Sequence, residues 1–212
     1  PKLDGVRVVA ICDVDRDEVV LMSRNGKELT NFPHINQQFE DMLDQLSESM
    51  VFDGEIMSEN FQVLMREIHR KDGARTEDAV LNLFDCLTLK EFKAGGSAKP
   101  ITERKTILES FRLGANMQRV EYVACDLTED RDRFLDYNKL CVDRGYEGIM
   151  VKPIAGAYEC RRSTLWLKVK PFIEVSLTVV ATEEGTGRNA GKLGALIVEG
   201  EDSGKFIRTN VG

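Results

Sequence analysis

Lys2, Asp4, Gly5 and Arg7 sit within the opening run Pro1-Lys2-Leu3-Asp4-Gly5-Val6-Arg7, which places an amine, an acid and a guanidinium side by side. Such a group suits covalent chemistry: an unprotonated lysine amine attacks an electrophilic centre, and neighbouring charges decide how readily its proton leaves. Lys-x-Asp is common on solvated strands, so the motif alone decides little. Its weight comes from three later segments, Asp53-Gly54-Glu55, Glu147-Gly148-Ile149 and Lys168-Val169-Lys170. Each has charged residues, or a charged and an apolar one, at i, i+2 spacing, which strand geometry puts on one face. Glycine between two of these pairs lets a backbone or ligand approach closely. Four such segments predict separate β-elements lining one polar groove, with Lys2 as nucleophile.

A lysine amine has an ordinary pKa of about 10.4 and is rarely free near neutral pH. Lys168 and Lys170, aimed into the same groove, are expected to lower that of Lys2.

The elements that must position these residues follow from periodicity. Val6–Cys12 and Glu18–Ser23, around the polar run 13–17, predict a hairpin. Phe39, Met42, Leu43, Leu46 and Met50 predict an amphipathic helix over Asn36–Met50. Val51–Met57 and Ala79–Leu89 read as strands, although Asp85 argues against complete burial of the second. A helix between them carries Phe61, Leu64, Met65 and Ile68 on one side, with Arg66 and Arg70 opposite. Gly95-Gly96-Ser97 marks Lys93–Pro100 as a flexible loop. Thr102–Gly114 and Thr128–Arg144 read as helices, the latter capped by Thr128, closed by Gly145 and buried along Phe134, Tyr137, Leu140 and Cys141. Val120–Cys125, Gly148–Lys152 and Leu165–Val169 are further strands. From Val175 the pattern changes to Val175–Thr182, Ala195–Glu199 and Phe206–Thr209, with glycine-rich connections.

The 212 residues are 42% hydrophobic and 31% charged, an ordinary globular composition with room for one large unit and a small one. No apolar run approaches the ~20 residues of a membrane span, and the start does not resemble a signal peptide. Beginning on its candidate nucleophile, the chain reads as cut at the front. Five scattered cysteines indicate reduced thiols, and His34 and His69 are too isolated for a metal cluster. A net charge of −7 means that any contact with nucleic-acid phosphate must be local. The basic stretches available are Arg66/Arg70/Lys71/Arg75, Lys99/Arg104/Lys105 and Arg161/Arg162.

Taken in order, Lys2-Leu3-Asp4-Gly5-Val6-Arg7, Ser23-Arg24-Asn25-Gly26, Phe52-Asp53-Gly54-Glu55-Ile56, Leu83-Phe84-Asp85, Glu147-Gly148-Ile149-Met150-Val151-Lys152 and Trp166-Leu167-Lys168-Val169-Lys170-Pro171 resemble the ATP-dependent DNA ligases. These belong to the wider superfamily of lysine nucleotidyltransferases, with RNA ligases and mRNA capping enzymes. The resemblance implies an α+β fold: an ATP-grasp-like nucleotidyltransferase (adenylation) domain of antiparallel sheets flanked by helices over 1–172. A partial OB-type β-barrel would follow over 173–212, ending before it closes.

The resemblance also implies ATP as donor, a covalent lysyl-AMP at Lys2, and Mg2+ held by Glu147 with Asp4 nearby. Arg7 and Glu55 would meet the ribose, Phe84 and Ile149 the two faces of adenine, Lys168 and Lys170 the α-phosphate, and Arg24 a nucleic-acid phosphate. The implied partner is nicked double-stranded DNA, met by a monomer away from membranes. Its setting would be the cytoplasm near the nucleoid, a phage-infected cell, or the nucleus in a eukaryote. An RNA ligase or a capping guanylyltransferase would share Lys2, Glu55, Glu147 and Lys168. A silent binding module would have no reason to keep those four and Lys170. The family's last basic motif and its residues ahead of the lysine fall outside this sequence, which implies weak adenylation and no nick sealing by these residues alone.

Overall fold

The computed structural model describes residues 1–68, 75–114, 117–171 and 174–212; His69, Arg70 and Lys71 lie outside them. The chain forms two compact units, Pro1–Pro171 and Phe172–Gly212.

In the first unit, β1 (Val6–Asp13) and β2 (Glu18–Ser23) form the expected hairpin, with Asp17 at a φ of 52° in its turn. Helix α1 (Pro33–Leu43) leads to β3 (Met50–Met57), and helix α2 (Phe61–Glu67) to β4 (Val80–Thr88). Next come helix α3 (Leu89–Lys93), β5 (Gly96–Ser97), helix α4 (Ile101–Gly114), β6 (Val120–Tyr122) and helix α5 (Arg131–Asp143). Three short strands follow, β7 (Ile149–Val151), β8 (Tyr158–Glu159) and β9 (Leu167–Val169). The main sheet runs β2-β1-β3-β4-β6, antiparallel except for the parallel β4–β6 pair; β5–β8 and β7–β9 form two small antiparallel sheets.

Alternation gives the main sheet two unlike faces. On one, Val8, Ala10, Phe52, Ile56, Leu81 and Leu83 pack with Ile35 and Phe39 of α1 and Leu108 of α4. Each buried valine, leucine, isoleucine or phenylalanine among them contributes ~1.5–3 kcal/mol. On the other, Val9, Ile11, Val51 and Leu87 meet Tyr158 and Trp166. Toward the end of this second face Asp53 pairs with Val9, and beyond them Arg7 pairs with Glu55.

Several expectations need correction. The helix predicted over Asn36–Met50 starts earlier, with Pro33 in its first turn, and ends at Leu43; Leu46 and Met50 are buried from the connection and from β3. The capping box of Thr88 and Glu91 turns Leu89–Lys93 into a helix directly after β4. Lys93–Pro100 is not simply a flexible loop, because Gly96 and Ser97 pair with Glu159 and Tyr158. Helix α5 is capped by Asp130, which accepts from the N–H groups of Asp132 and Arg133, and not by Thr128; Leu140 lies outside its buried stripe, at 43% exposure. Asp85 is fully buried, and so is Arg104, which is therefore no part of a basic face.

The second unit is a three-stranded antiparallel sheet of β10 (Thr178–Glu184), β11 (Leu193–Asp202) and β12 (Lys205–Val211), with a 3-10 turn over Gly187–Asn189. It is not a closed barrel. Among the described residues no helix is long and apolar enough to cross a membrane.

Candidate active site

Lys2 precedes β1 and does not lie in a strand, yet its backbone is fixed like one. Its N–H donates to Gly148 O at 2.7 Å, and the Glu147 N–H donates back to Lys2 O at 3.3 Å. This brings the Lys2 segment beside β7, and glycines on either side let the neighbouring strands close in: a Cβ on Gly148 would stand 2.0 Å from Val169 O at the end of β9, and one on Gly5 2.2 Å from Ile56 O in β3.

The side chains converge accordingly. The Lys2 amine ion-pairs with one oxygen of Glu147, and Lys170 Nζ donates to the other at 2.8 Å. Burial, then Lys170 and Lys168, hold the Lys2 amine below the ordinary lysine range, against the pull of Glu55 and Asp4. The Glu147 carboxylate acts in the same opposing sense. Glu55 is raised by burial, which the Gly5 N–H and Lys2 partly offset. Asp4 is exposed at the rim. Lys168 sits on β9 opposite Met150, and Ile149 is buried on β7 next to Gly148. Thus Lys2, Glu147 and Lys170 are in contact, with Glu55, Asp4 and Lys168 within electrostatic reach. Arg24 stands apart in the exposed turn after Ser23; since Ser23 pairs with Val8, it leaves the sheet at the Arg7 end, one strand out.

The neighbouring wall depends on an irregularity in β4. Asp53 pairs with Asp85 but Gly54 pairs with Leu83, so Phe84 is an extra residue. Such a bulge turns two consecutive side chains toward one face. Phe84 meets Trp166 edge-on at 5.8 Å, while Asp85 receives Arg104 through Nε at 2.7 Å and Nη2 at 3.2 Å. Arg7 is tied to Asp53 by Nε at 3.0 Å and Nη2 at 2.7 Å. Burial alone would lower the Arg7 guanidinium, but its bonds to Asp53 raise it further above the ordinary arginine range.

Four residues given no role from sequence belong to this wall: Asp53, Lys152, Tyr158 and Trp166. Lys152 Nζ lies 3.3 Å from the Trp166 ring centroid, 4.9 Å from that of Phe84, and 3.7 Å from Asp85 Oδ2. Burial takes its pKa down to about 8, although Asp85 pulls the other way. Its place after the β7 hydrophobic run was the signal available, and the charge alone did not say that the amine was buried.

That lysine makes stability pH-dependent in a definite sense. Below pH 8 it carries its proton in both folded and unfolded chains; between about 8 and 10.5 the unfolded chain binds more protons, so the fold gains stability as pH rises. Urea unfolding of wild type and Lys152→Met at pH 7.5 and 9.5 should show wild type gaining roughly 2 kcal/mol relative to the variant, at about 1.4 kcal/mol per pH unit. Parallel behaviour of the two proteins would contradict the burial of a charged amine there.

Among the described residues no three His, Cys, Asp or Glu side chains form a metal cage. The acids present suit magnesium differently, since that ion takes one or two carboxylates and fills its shell with phosphate oxygens and water. Glu147, whose two oxygens meet the Lys2 and Lys170 amines, and Asp4 at the rim are carboxylates that could serve such an ion.

The arrangement, a partly buried lysine flanked by two more lysines and by acids beside an aromatic and arginine wall, fits attack on a nucleotide phosphate. A family model described as "ATP dependent DNA ligase domain" matches residues 1–170. The DNA ligase of Natronomonas pharaonis is 33% identical over 211 residues, covering 93% of this chain and 36% of that protein; the DNA ligase of Haloferax volcanii is 33% identical over 212 residues, covering 93% and 34%. A solved structure named Pmar-Lig_PreS3 superposes with a TM-score of 0.89 at 43% identity, covering 100% of this chain and 50% of that one. The chain therefore spans about a third of the length of the curated relatives it matches. On the match across residues 1–170 and these relationships, the chain belongs to the ATP-dependent DNA ligase domain family.

Proposed function

We propose that this chain is the adenylating part of an ATP-dependent DNA ligase, with Lys2 as the nucleophile. The observation that carries the reading is the contact of Lys2 with Glu147, shared by Lys170, in a pocket where burial and lysines lower the Lys2 pKa. In the first step Lys2 Nζ attacks the α-phosphorus of ATP. The N–P bond forms, the bond from that phosphorus to the pyrophosphate oxygen breaks, and the amine gives up one proton.

Lys168 and Lys170 oppose the negative charge gathering on the α-phosphate, as fixed cations do best in a site holding little water. Glu147, with Asp4, would hold a magnesium ion whose positive charge neutralises the polyphosphate when bound. Phe84 offers a flat apolar surface to adenine, base–aromatic stacking being worth ~1–3 kcal/mol. Ile149 would pack the other face, and Arg7 and Glu55 would hold the ribose. AMP then passes from Lys2 to the 5′-phosphate of a DNA nick, and the 3′-hydroxyl displaces it to close the strand. Arg24, exposed at the same end of the sheet, would meet a phosphate of that DNA.

The full-length protein incubated with magnesium and α-labelled ATP should retain acid-labile label on the peptide that contains Lys2, with release of pyrophosphate. GTP should not replace ATP, and nicked DNA should be sealed in preference to nicked RNA. Label on another residue would sink the assignment, and GTP preference would move the chain to the capping branch.

A further inference from the structure

The hydroxyl of Tyr158 closes a three-cornered contact that the chemistry above leaves unused. It donates to Asp53 Oδ2 at 2.7 Å and accepts from Arg7 Nη2 at 3.2 Å, while Arg7 holds the same carboxylate through Nε and Nη2. Tyr158 is 3% exposed and Asp53 0%, whereas the Arg7 side chain is 36% exposed. One edge of the guanidinium is thus locked inside the protein, and Nη1 takes no part in the lock.

The tyrosine is braced in turn. Trp166 meets its ring edge-on at 5.6 Å and 81°, and the Arg104 guanidinium lies 5.7 Å from its centroid. Its backbone pairs with Ser97 in the β5–β8 ladder. A Cβ on Gly96 would stand 2.1 Å from Tyr158 O, so the glycine at 96 is what allows this close pairing. A sequence that reads as a loose linker holds the tyrosine in place.

We propose that Tyr158 is a positioning residue that sets ribose selectivity, by holding Arg7 through Asp53 so that its outer nitrogen faces a hydroxyl of the nucleotide sugar. The proposal rests on the reading that Arg7 meets the ribose. The physical reason is preorganisation: an unrestrained arginine has many rotamers to lose on binding, and a bidentate carboxylate with a third hydrogen bond removes that loss in advance. A site that reads a hydroxyl by hydrogen bonding rejects the analogue lacking it, because its own polar group is left unpaired.

The test is Tyr158→Phe in the full-length protein, which removes the hydroxyl and keeps the ring. Lysyl-adenylate formation is followed against the concentration of ATP, 2′-deoxyATP and 3′-deoxyATP. KM for ATP should rise about tenfold, the scale of a hydrogen bond to a charged group, with little change in kcat. Preference for ATP over one of the deoxy analogues should fall by a similar factor. Asp53→Asn should lose the same preference, giving a second route should the phenylalanine variant fold poorly. Arg7→Lys should lose it too, and combining it with Tyr158→Phe should add nothing. A lower melting temperature with the ATP preference intact would make Tyr158 merely structural and overturn the proposal. Wild type that labels while Tyr158→Phe keeps its preference sinks this inference alone; wild type that takes no label sinks the ligase reading, and this one with it.

Discussion

Lys2→Arg protein takes up no label from α-labelled ATP, although it folds. Arginine preserves the positive charge and can still reach Glu147, so the ion pair that helps seat the segment survives. The backbone bonds of residue 2 to Gly148 and Glu147 are indifferent to the side chain. What is lost is chemistry: the guanidinium stays protonated at any working pH and has no lone pair to offer phosphorus. Labelling should drop to background while the urea midpoint stays close to that of wild type. Lys170→Met makes the complementary case. On the proposed mechanism it leaves the nucleophile but removes a cation from the α-phosphate and leaves Glu147 to Lys2 alone, so the rate should fall by about 10²-fold, the scale of losing one preorganised charge stabiliser. If Lys2→Arg labels like wild type, another residue is the nucleophile and the groove has been misread. If Lys170→Met abolishes labelling as completely as Lys2→Arg, the two lysines cannot be assigned separate tasks.

How much of this was legible beforehand depends on whether the signal was local. The hairpin of β1 and β2 was, because alternating apolar residues flank a short polar turn. The gathering of Lys2, Glu55, Glu147, Lys168 and Lys170 was as well, since charged residues recurring at i, i+2 spacing beside apolar runs point to one shared polar groove. The Arg7 partnership was not. Asp53 stands 46 positions from Arg7, and Tyr158 105 from Asp53, so no window contains all three. The bulge at Phe84 left no mark either, because an extra residue in a strand looks like any other until its partner strand is known. Asp85 was read as a sign of exposure, on the sound rule that acids are rarely buried. The rule fails where a buried cation meets them, and Arg104 was hidden in a run with Lys99 and Lys105 that looks like a solvated face. Gly96 misleads for a related reason, while Gly95 beside it meets nothing within 4 Å. Glycine signals freedom when nothing lies near it, and close packing when a neighbouring backbone does; sequence does not distinguish the two.

That buried pair is also where a single substitution should cost the fold most. Arg104 is 1% exposed at its side chain and Asp85 0%, and the guanidinium bonds Asp85 twice, Gly156 O at 3.0 Å, and Lys99 O. It joins the bulge in β4, the start of α4 and the chain before Tyr158. Arg104→Met keeps most of the volume and removes every one of those bonds. Asp85 then keeps the Cys86 N–H, at 3.1 Å, and as its only cation among the described residues Lys152, at 3.7 Å, an amine whose pKa burial has already lowered to about 8. Breaking a buried pair from one side costs about 3–5 kcal/mol, because the remaining charge is desolvated and uncompensated. For a unit of this size that corresponds to a melting temperature lower by roughly 10 °C. The double variant Asp85→Leu with Arg104→Met should recover part of the loss, since the pair's main cost lies in leaving one member alone. An exposed arginine such as Arg133, whose pair with Asp126 is open to water, should cost under ~1 kcal/mol when changed in the same way. Urea unfolding of the four proteins decides the matter: Arg104→Met behaving like Arg133→Met would mean that Asp85 is hydrated, and that the wall carrying Phe84 and Lys152 is looser than described.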